Sequence, residues 1–319
     1  MSCDRLPRLI VGLPVYNGDD FLEDSLKGLL SQTYTNFKLV ISDNGSTDKT
    51  QQICQDYAAR NSRIDYHRHE VNRGAAWNYN YAFEVDRSEY FKWAAHDDIC
   101  QPEYLERCVE ILDRYPSVVL AYPRTRFIDE RGELIRPDYT DDLNLRQSKP
   151  HQRYGQYLDV LYRSGPQGCS KISPIWGVIR TEILRKTPLI GNYNASDLTL
   201  LSELALWGEF FEIPEYLFLR REHAGQSVKA HRSASERAAW FDPTNKRVTL
   251  PTWERFGHFL RAIDRVNLSW SEKVLCYLEL RRWLLFSPMG WRKMGREVKM
   301  SVLDYLEYQK QRNTANIKN

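Results

Sequence analysis

Residues 8–48, RLIVGLPVYNGDDFLEDSLKGLLSQTYTNFKLVISDNGSTD, contain a strand, a helix and a second strand in close succession. Arg8 to Val15 is a short apolar run with β-branched residues. Phe21, Leu22, Leu26, Leu29 and Leu30 then recur at helical spacing, and FKLVISD is extended again. Working outward, STDKTQQICQDYAAR opens on Ser and Thr as candidate N-caps, RIDYHRH is a strand and GAAWNYNYAFEV a helix. YFKWAA is a strand, PEYLERCVEILDRYP a helix with Pro in its first turn, and VVLAYP a strand. Repeated βα units of this length predict an α/β fold with a mostly parallel central sheet and helices on both faces. Ligands of such a sheet sit beyond the carboxyl ends of its strands.

That rule collects polar residues in one crevice: Tyr16 and Asn17, Asp43 and Asn44, Arg73 and Gly74, and Asp97 and Asp98. Each has a plainer reading on its own. Asp43 suits a turn, Asp97 a helix cap and Arg73 a solvated loop. Adjacent carboxylates at a strand end repel, so Asp97 and Asp98 need a cation or hydrogen-bond donors to stay ionised. The segment VGLPVYNGDD carries neither GxGxxG nor GxxxxGK[ST], and the chain has no HExxH and no GxSxG. A divalent cation, Mg²⁺ or Mn²⁺, held by carboxylates and offsetting a phosphate-bearing substrate, is the economical reading.

Composition sets the bounds. The 319 residues allow one large α/β domain with an appendage, and 42% hydrophobic and 27% charged content is ordinary for a globular chain. Six scattered cysteines without CxxC pairs fit free thiols. No apolar run approaches the ~20 residues that span a bilayer, and the N-terminus lacks a signal-peptide core. The expectation is a cytoplasmic protein. Charge is uneven: from Ala230 onward there are 17 Lys and Arg against 9 Asp and Glu, so the preceding part is net negative.

GLPVYNGDDFLEDSLKGLLSQTYTNFKLVISDNGSTDKT, followed by NRGAAWNYNYAF and WAAHDDICQPEYLE, resembles the family 2 glycosyltransferases of the GT-A fold, over roughly Arg8 to Val228. The resemblance implies transfer of a sugar from a nucleoside diphosphate sugar, UDP-linked by expectation, with inversion at the anomeric carbon and a divalent metal, Mn²⁺ or Mg²⁺. It implies that Asp43 hydrogen-bonds the base, that Pro14, Tyr16 and Asn17 line the nucleoside, and that Arg73 and Gly74 lie beside the donor. Asp97 falls nearer the ribose and Asp98 at the metal. Two positions earlier, where the family commonly has Asp, this chain has Ala95.

In the second half, NASDLTLLSELALWGEFFEIPEYLFLRREHAGQS resembles the family's acceptor-side segment. The resemblance implies that Asp197 is the catalytic base and that His223 completes the metal shell or touches the diphosphate. Ser196 stands where the family often has Glu. Asp197 also reads as an ordinary N-cap, and His223 as a packed residue. Trp176, in GPQGCSKISPIWGVIR, suits either stacking on a sugar or a core position. His67 and His69 share one strand face, two ligands short of a third. PDYTDDLNLRQSKP, from Pro137 to Pro150, reads as a mobile loop able to act as a lid, or as an inert excursion.

Residues 1–228 are thus expected to form the catalytic domain and 229–319 a basic, aromatic-rich helical region, broken at Pro288 and Gly290. Its residues 271–299 suit either contact with an anionic membrane, on the inner face, or packing on the catalytic domain. The expected acceptor is a hydroxyl of a glycan or a lipid-linked molecule, and no nucleic acid is expected. Ala95 and Ser196 also admit a decayed sugar-nucleotide-binding or scaffolding relative, whereas Asp43, Asp97, Asp98, Asp197 and His223 together favour the enzyme.

Overall fold

The computed structural model describes residues 6–85, 87–136, 138, 140, 142–163, 173–226, 230, 234–244, 250–286, 294–298, 300 and 303. β1 (Leu9–Val15), β2 (Phe37–Asp43), β3 (Ile64–Arg68) and β4 (Tyr90–Trp93) alternate with α1 (Leu22–Leu30), α2 (Thr50–Arg60) and α3 (Ala75–Glu84). The short β5 (Ile99–Cys100), α4 (Tyr104–Arg114) and β6 (Val118–Ile128) follow, then α5 (Pro150–Arg163) and a 3-10 turn, Ser173–Trp176. β7 (Val178–Arg180), α6 (Thr181–Leu184), α7 (Ser196–Trp207) and β8 (Glu209–Arg221) complete the sheet, and α8 (Ala234–Phe241), α9 (Pro251–Arg265) and α10 (Trp270–Phe286) come after it. Pro288 and Gly290 lie outside the described residues.

The eight strands lie in the order β3-β2-β1-β4-β7-β6-β8-β5. The first four are mutually parallel, as predicted, with Leu9 opposite both Phe37 and Tyr90. β7 enters antiparallel between β4 and β6, and β5 pairs antiparallel with β8, so the sheet is mixed beyond β4. Alternate residues of β1 feed two cores. Leu9, Val11 and Leu13 pack with Leu22, Leu26 and Leu29 of α1 and Leu105, Val109 and Leu112 of α4. Ile10 faces the other layer with Phe83 of α3, Tyr154 and Tyr157 of α5, and Leu200 and Leu204 of α7. The carboxyl ends of β1, β2 and β4 consequently open on one edge between two packed layers.

That second core includes Phe259, Ala262 and Ile263 of α9 and Cys276, Leu280 and Trp283 of α10. Helices beyond residue 229 therefore share a core with α5 and α7. The segment expected as a mobile lid is in part packed. Leu143 and Leu145 are fully buried and the Leu145 carbonyl accepts the Phe210 amide at 3.0 Å. The two leucines of DDLNLRQ, spaced by two, anchor it against the start of β8; Pro137 itself lies outside the described residues.

α9 also reaches the loop before α7. The His258 ring stacks on Tyr193 at 4.1 Å and 14°, and the Tyr193 hydroxyl lies 2.6 Å from Thr199 Oγ1. Burial, then the charges of Arg261 and Arg265, hold His258 down to about 4 against an ordinary 6.5. The unfolded chain takes up this proton first, so the stability contributed by the neutral ring is present above pH 6.5 and is lost as pH falls toward about 4. His258→Phe keeps the stack and removes the titration. Thermal melts at about pH 7 and about pH 4.5 should show a smaller drop in Tm for this variant than for the parent.

Candidate active site

The loops leaving β1 and β2 are laced together. The Asn17 amide donates to Ser46 Oγ at 3.0 Å, Asn17 Oδ1 accepts the Thr47 amide at 2.8 Å, and the Gly18 amide donates to Thr50 Oγ1 at 2.9 Å. Asn17 holds a left-handed backbone, φ 50°, and Tyr16 beside it is exposed, while Pro14 is buried in register with Ser42. Asp43 ends β2 with no exposed side-chain surface. Its Oδ1 accepts the Ser46 amide at 2.8 Å, its Oδ2 accepts the Tyr66 hydroxyl at 2.7 Å, and Arg68 Nε lies 3.6 Å away. The carboxylate expected to read a base thus shapes the turn after β2.

Asn44 fixes the next loop. Its Nδ2 donates to Asn72 Oδ1 at 2.9 Å and the Gly74 carbonyl at 3.1 Å, and its Oδ1 accepts the Arg73 amide at 3.0 Å. Arg73 is exposed and lies over the Trp77 ring at 4.7 Å. Gly74 adopts φ +91°, which favours glycine, and a Cβ there would collide with the Phe241 carbonyl and Pro243. The close approach that Gly74 permits is made by the end of α8. His67 and His69 turn to neighbours: His69 Nε2 lies 3.1 Å from Ser42 Oγ, and His67 Nδ1 lies 3.3 Å from the Tyr81 hydroxyl.

At the end of β4 the two carboxylates separate. Asp98 is buried, and its Oδ1 accepts the Arg221 amide at 2.9 Å. Asp97 keeps partial exposure, and its Oδ2 lies 3.0 Å from His223 Nε2. Burial and then the Asp97 charge push the Asp98 carboxyl up, to about 8. Burial also opposes ionisation of Asp97, but the His223 hydrogen bond and the charges of His96 and His223 bring its carboxyl below the ordinary value. His223 thus meets Asp97, whereas the sequence reading placed the metal at Asp98.

Asp197 opens α7 after Ala195 in a left-handed conformation, and its Oδ1 accepts the Leu198 amide at 2.9 Å. Burial pushes its carboxyl up, while the Leu198 amide and the charges of Arg255 and Arg220 offset part of that. Tyr79 links the groups: burial and then the charges of Asp97, Asp197 and Asp98 all raise its phenol. Trp176 lies beside it, with ring centroids 6.3 Å apart. The Trp176 carbonyl accepts Lys92 Nζ at 2.5 Å and the Tyr104 hydroxyl at 2.8 Å, which fixes its backbone, and its ring packs against both cores.

A carboxylate–imidazole pair at the end of β4 and a further carboxylate in the first turn of α7, beside a βαβ lattice, fit the family expected from the sequence. The model of the family described as "Glycosyl transferase family 2" matches residues 10–176. The chain belongs to this family. An uncharacterized glycosyltransferase of Rickettsia typhi is 29% identical over 218 residues, covering 66% of this chain and 61% of that protein. The chain thus spans about three-fifths of that relative's length. Chondroitin synthase of Escherichia coli is 30% identical over 143 residues, 45% of this chain and 21% of that enzyme. S. aureus TarS 1-349, solved in complex with UDP, superposes with a TM-score of 0.60 at 16% identity, over 88% of this chain and 72% of that one. A mannosyltransferase of Pyrobaculum calidifontis, solved with GDP-Man and Mn2+, gives 0.52 at 15% identity, over 98% and 81%. These structures share the GT-A fold expected from the sequence.

Within this family 2 chain, sequence reasoning passed over Arg221, Phe21 and Tyr79. Arg221 had one visible signal, its place two residues before His223 in RREH. Asp43 yields a direct test of its place in the turn. Asp43→Ala strips charged partners from Tyr66 and Ser46, so urea unfolding should show a loss of about 1.5–3 kcal/mol. A variant as stable as the parent would leave the carboxylate free of that duty.

Proposed function

We propose that this protein is an inverting glycosyltransferase that moves a sugar from a nucleoside diphosphate sugar to an acceptor hydroxyl, supported by a divalent cation. The observation that carries this is the Asp97–His223 pair, 3.0 Å apart at the end of β4. The carboxylate oxygen suits Mn²⁺ or Mg²⁺ when substrate phosphates supply further positions, and an imidazole nitrogen beside it favours the softer Mn²⁺ of the two. Among the described residues no group of three or more His, Cys, Asp or Glu is placed to hold an ion. Asp97 and His223 would hold the cation, and Asp98 braces the loop through the Arg221 amide. When bound, the cation offsets the charge that develops on the leaving diphosphate.

The remaining steps belong to the chain's own groups. Tyr16, Asn17 and Arg73 line the donor side, with Asp43 holding the turn on which the base rests. Asp197 accepts the proton of the acceptor hydroxyl as that oxygen bonds to the anomeric carbon and the bond to the diphosphate breaks. A raised carboxyl pKa brings a general base nearer its working pH. The support for a nucleoside diphosphate sugar donor is the fold shared with TarS, solved with UDP, and with the mannosyltransferase solved with GDP-Man. Trp176 is the proposed wall for the sugar or acceptor.

Asp197→Asn keeps the size of the side chain and the carbonyl that accepts the Leu198 amide, but cannot take the proton. Calorimetric titration of UDP with Mn²⁺ should give near-parent affinity for this variant, while acceptor glycosylation falls by ~10²–10⁴-fold. An α-linked donor should yield a β-linked product by NMR. Retained α configuration, or parent-level turnover in Asp197→Asn, would refute the mechanism, and donor binding without any turnover would favour a non-catalytic relative.

The basic end of the chain is proposed to touch an anionic membrane carrying a lipid-linked acceptor. α10 exposes Leu278, Leu285 and Phe286 near Arg281, and among the described residues no helix is long and apolar enough to cross a bilayer. Because Cys276, Leu280 and Trp283 of α10 are core residues, the test must spare the helix. Replacing Leu278, Leu285 and Phe286 with Ser should abolish flotation on phosphatidylglycerol vesicles at low salt. A full-length parent that fails to float would rule the contact out.

A further inference from the structure

Arg221 is the largest charged side chain with almost no exposure, about 1%. A buried guanidinium is costly unless its N–H groups are satisfied, so its partners show what it organises. Nε donates to the Asp97 carbonyl at 3.1 Å. Nη1 donates to the Asp129 and Glu130 carbonyls at 3.2 and 3.0 Å, at the turn that follows β6. Nη2 donates to Asp24 Oδ2 in the first turn of α1 at 3.0 Å. Its backbone amide holds Asp98 Oδ1 at 2.9 Å. The guanidinium carbon lies 4.6 Å from the centroid of the Phe21 ring, and the same ring packs at 4.7 Å against His223, whose Nε2 meets Asp97 Oδ2 at 3.0 Å.

From this geometry we infer that Arg221 is a positioning residue: it fixes Asp97 through its carbonyl and His223 through the face of Phe21, holding the two as one preformed pair. The inference rests on the proposed cation role of that pair and adds the device that sets it. A carbonyl bond alone would hold the Asp97 backbone but leave the imidazole free to rotate. A Phe21 contact alone would hold the imidazole but not the carboxylate. One side chain reaching both, while tied to α1 and to the 129–130 turn, fixes their separation. The planar fork suits this task because its donors point in fixed directions toward three separate segments. A lysine ammonium offers three donors around one point, so Lys at this position is not conservative. Groups that orient metal ligands typically control affinity by ~10–100-fold when removed.

The test compares the parent with Arg221→Lys, Phe21→Leu, Asp24→Asn and His223→Ala. Imidazole signals of the metal-free proteins are recorded by NMR, with that of His223 identified by its loss in His223→Ala, and UDP is titrated with and without Mn²⁺. Asp24→Asn retains an acceptor for Nη2 and should keep a single sharp His223 signal and parent affinity. Arg221→Lys should broaden or double that signal and weaken Mn²⁺-supported UDP binding ~10–100-fold, with a melting transition still cooperative. Phe21→Leu should act in the same direction and decides the matter if Arg221→Lys does not fold. A single sharp His223 signal with parent affinity in folded Arg221→Lys, or in Phe21→Leu where Lys fails, overturns the inference. If the parent binds UDP equally with and without Mn²⁺, the cation reading fails instead, and the His223 signals alone decide whether Arg221 positions the pair.

Discussion

Two neighbouring carboxylates at the end of a buried strand cannot both remain charged without compensation, and the active-site end of this protein is organised around that constraint. The chain resolves it by pointing the residues in different directions. Asp98 turns inward onto the Arg221 amide, where burial and its neighbour favour the protonated form. Asp97 stays at the edge of the cleft with His223. Such splitting gives two adjacent carboxylates distinct environments, one bound to a backbone amide and the other paired with an imidazole.

The same economy governs the loops that leave β1 and β2. Asp43, Asn44 and Asn17 all sit where strands end, and in each the polar side chain is used to tie one loop to the next. A loop laced by side chain to backbone bonds presents its outer residues, Tyr16 and Arg73, in fixed places without needing a packed core of its own. Rigid loops on a parallel sheet are what a nucleotide site requires, since affinity is then not spent on ordering the protein.

The first four strands and their helices were legible because period-two and helical patterns alternate there without interruption, and parallel order follows from that alternation. The antiparallel entry of β7 was not, because three residues, Val178–Arg180, carry no pattern that distinguishes one direction from the other. At the site, Asp97 and Asp98 were visible as carboxylates at a strand end, and Asp197 and His223 through the resemblance to the family's acceptor-side segment. What sequence could not convey was direction. Adjacent Asp97 and Asp98 look equivalent until the Arg221 amide claims one of them, and Asp43 looks available until Tyr66, 23 residues later, occupies it. Leu143 and Leu145 show the same limit in a loop, where two apolar residues outweighed the polar ones around them.

The family match ends at Trp176, yet Asp197 and His223 come later in the chain, and the charges acting on Asp197 come from Arg220 and from Arg255 of α9. The matched part thus holds the loops of Asn17, Asp43 and Asn44, and the proposed base is tuned by β8 and the C-terminal helices. α9 touches that base electrostatically and shares a core with α7. Changes in the C-terminal helices would therefore reach the proposed acceptor side through packing and charge, and the end of α8 also reaches Gly74 on the loop that Asn44 holds. The two parts of the chain meet at Tyr79, on which the charges of Asp97, Asp98 and Asp197 act, and at the Asp97–His223 pair.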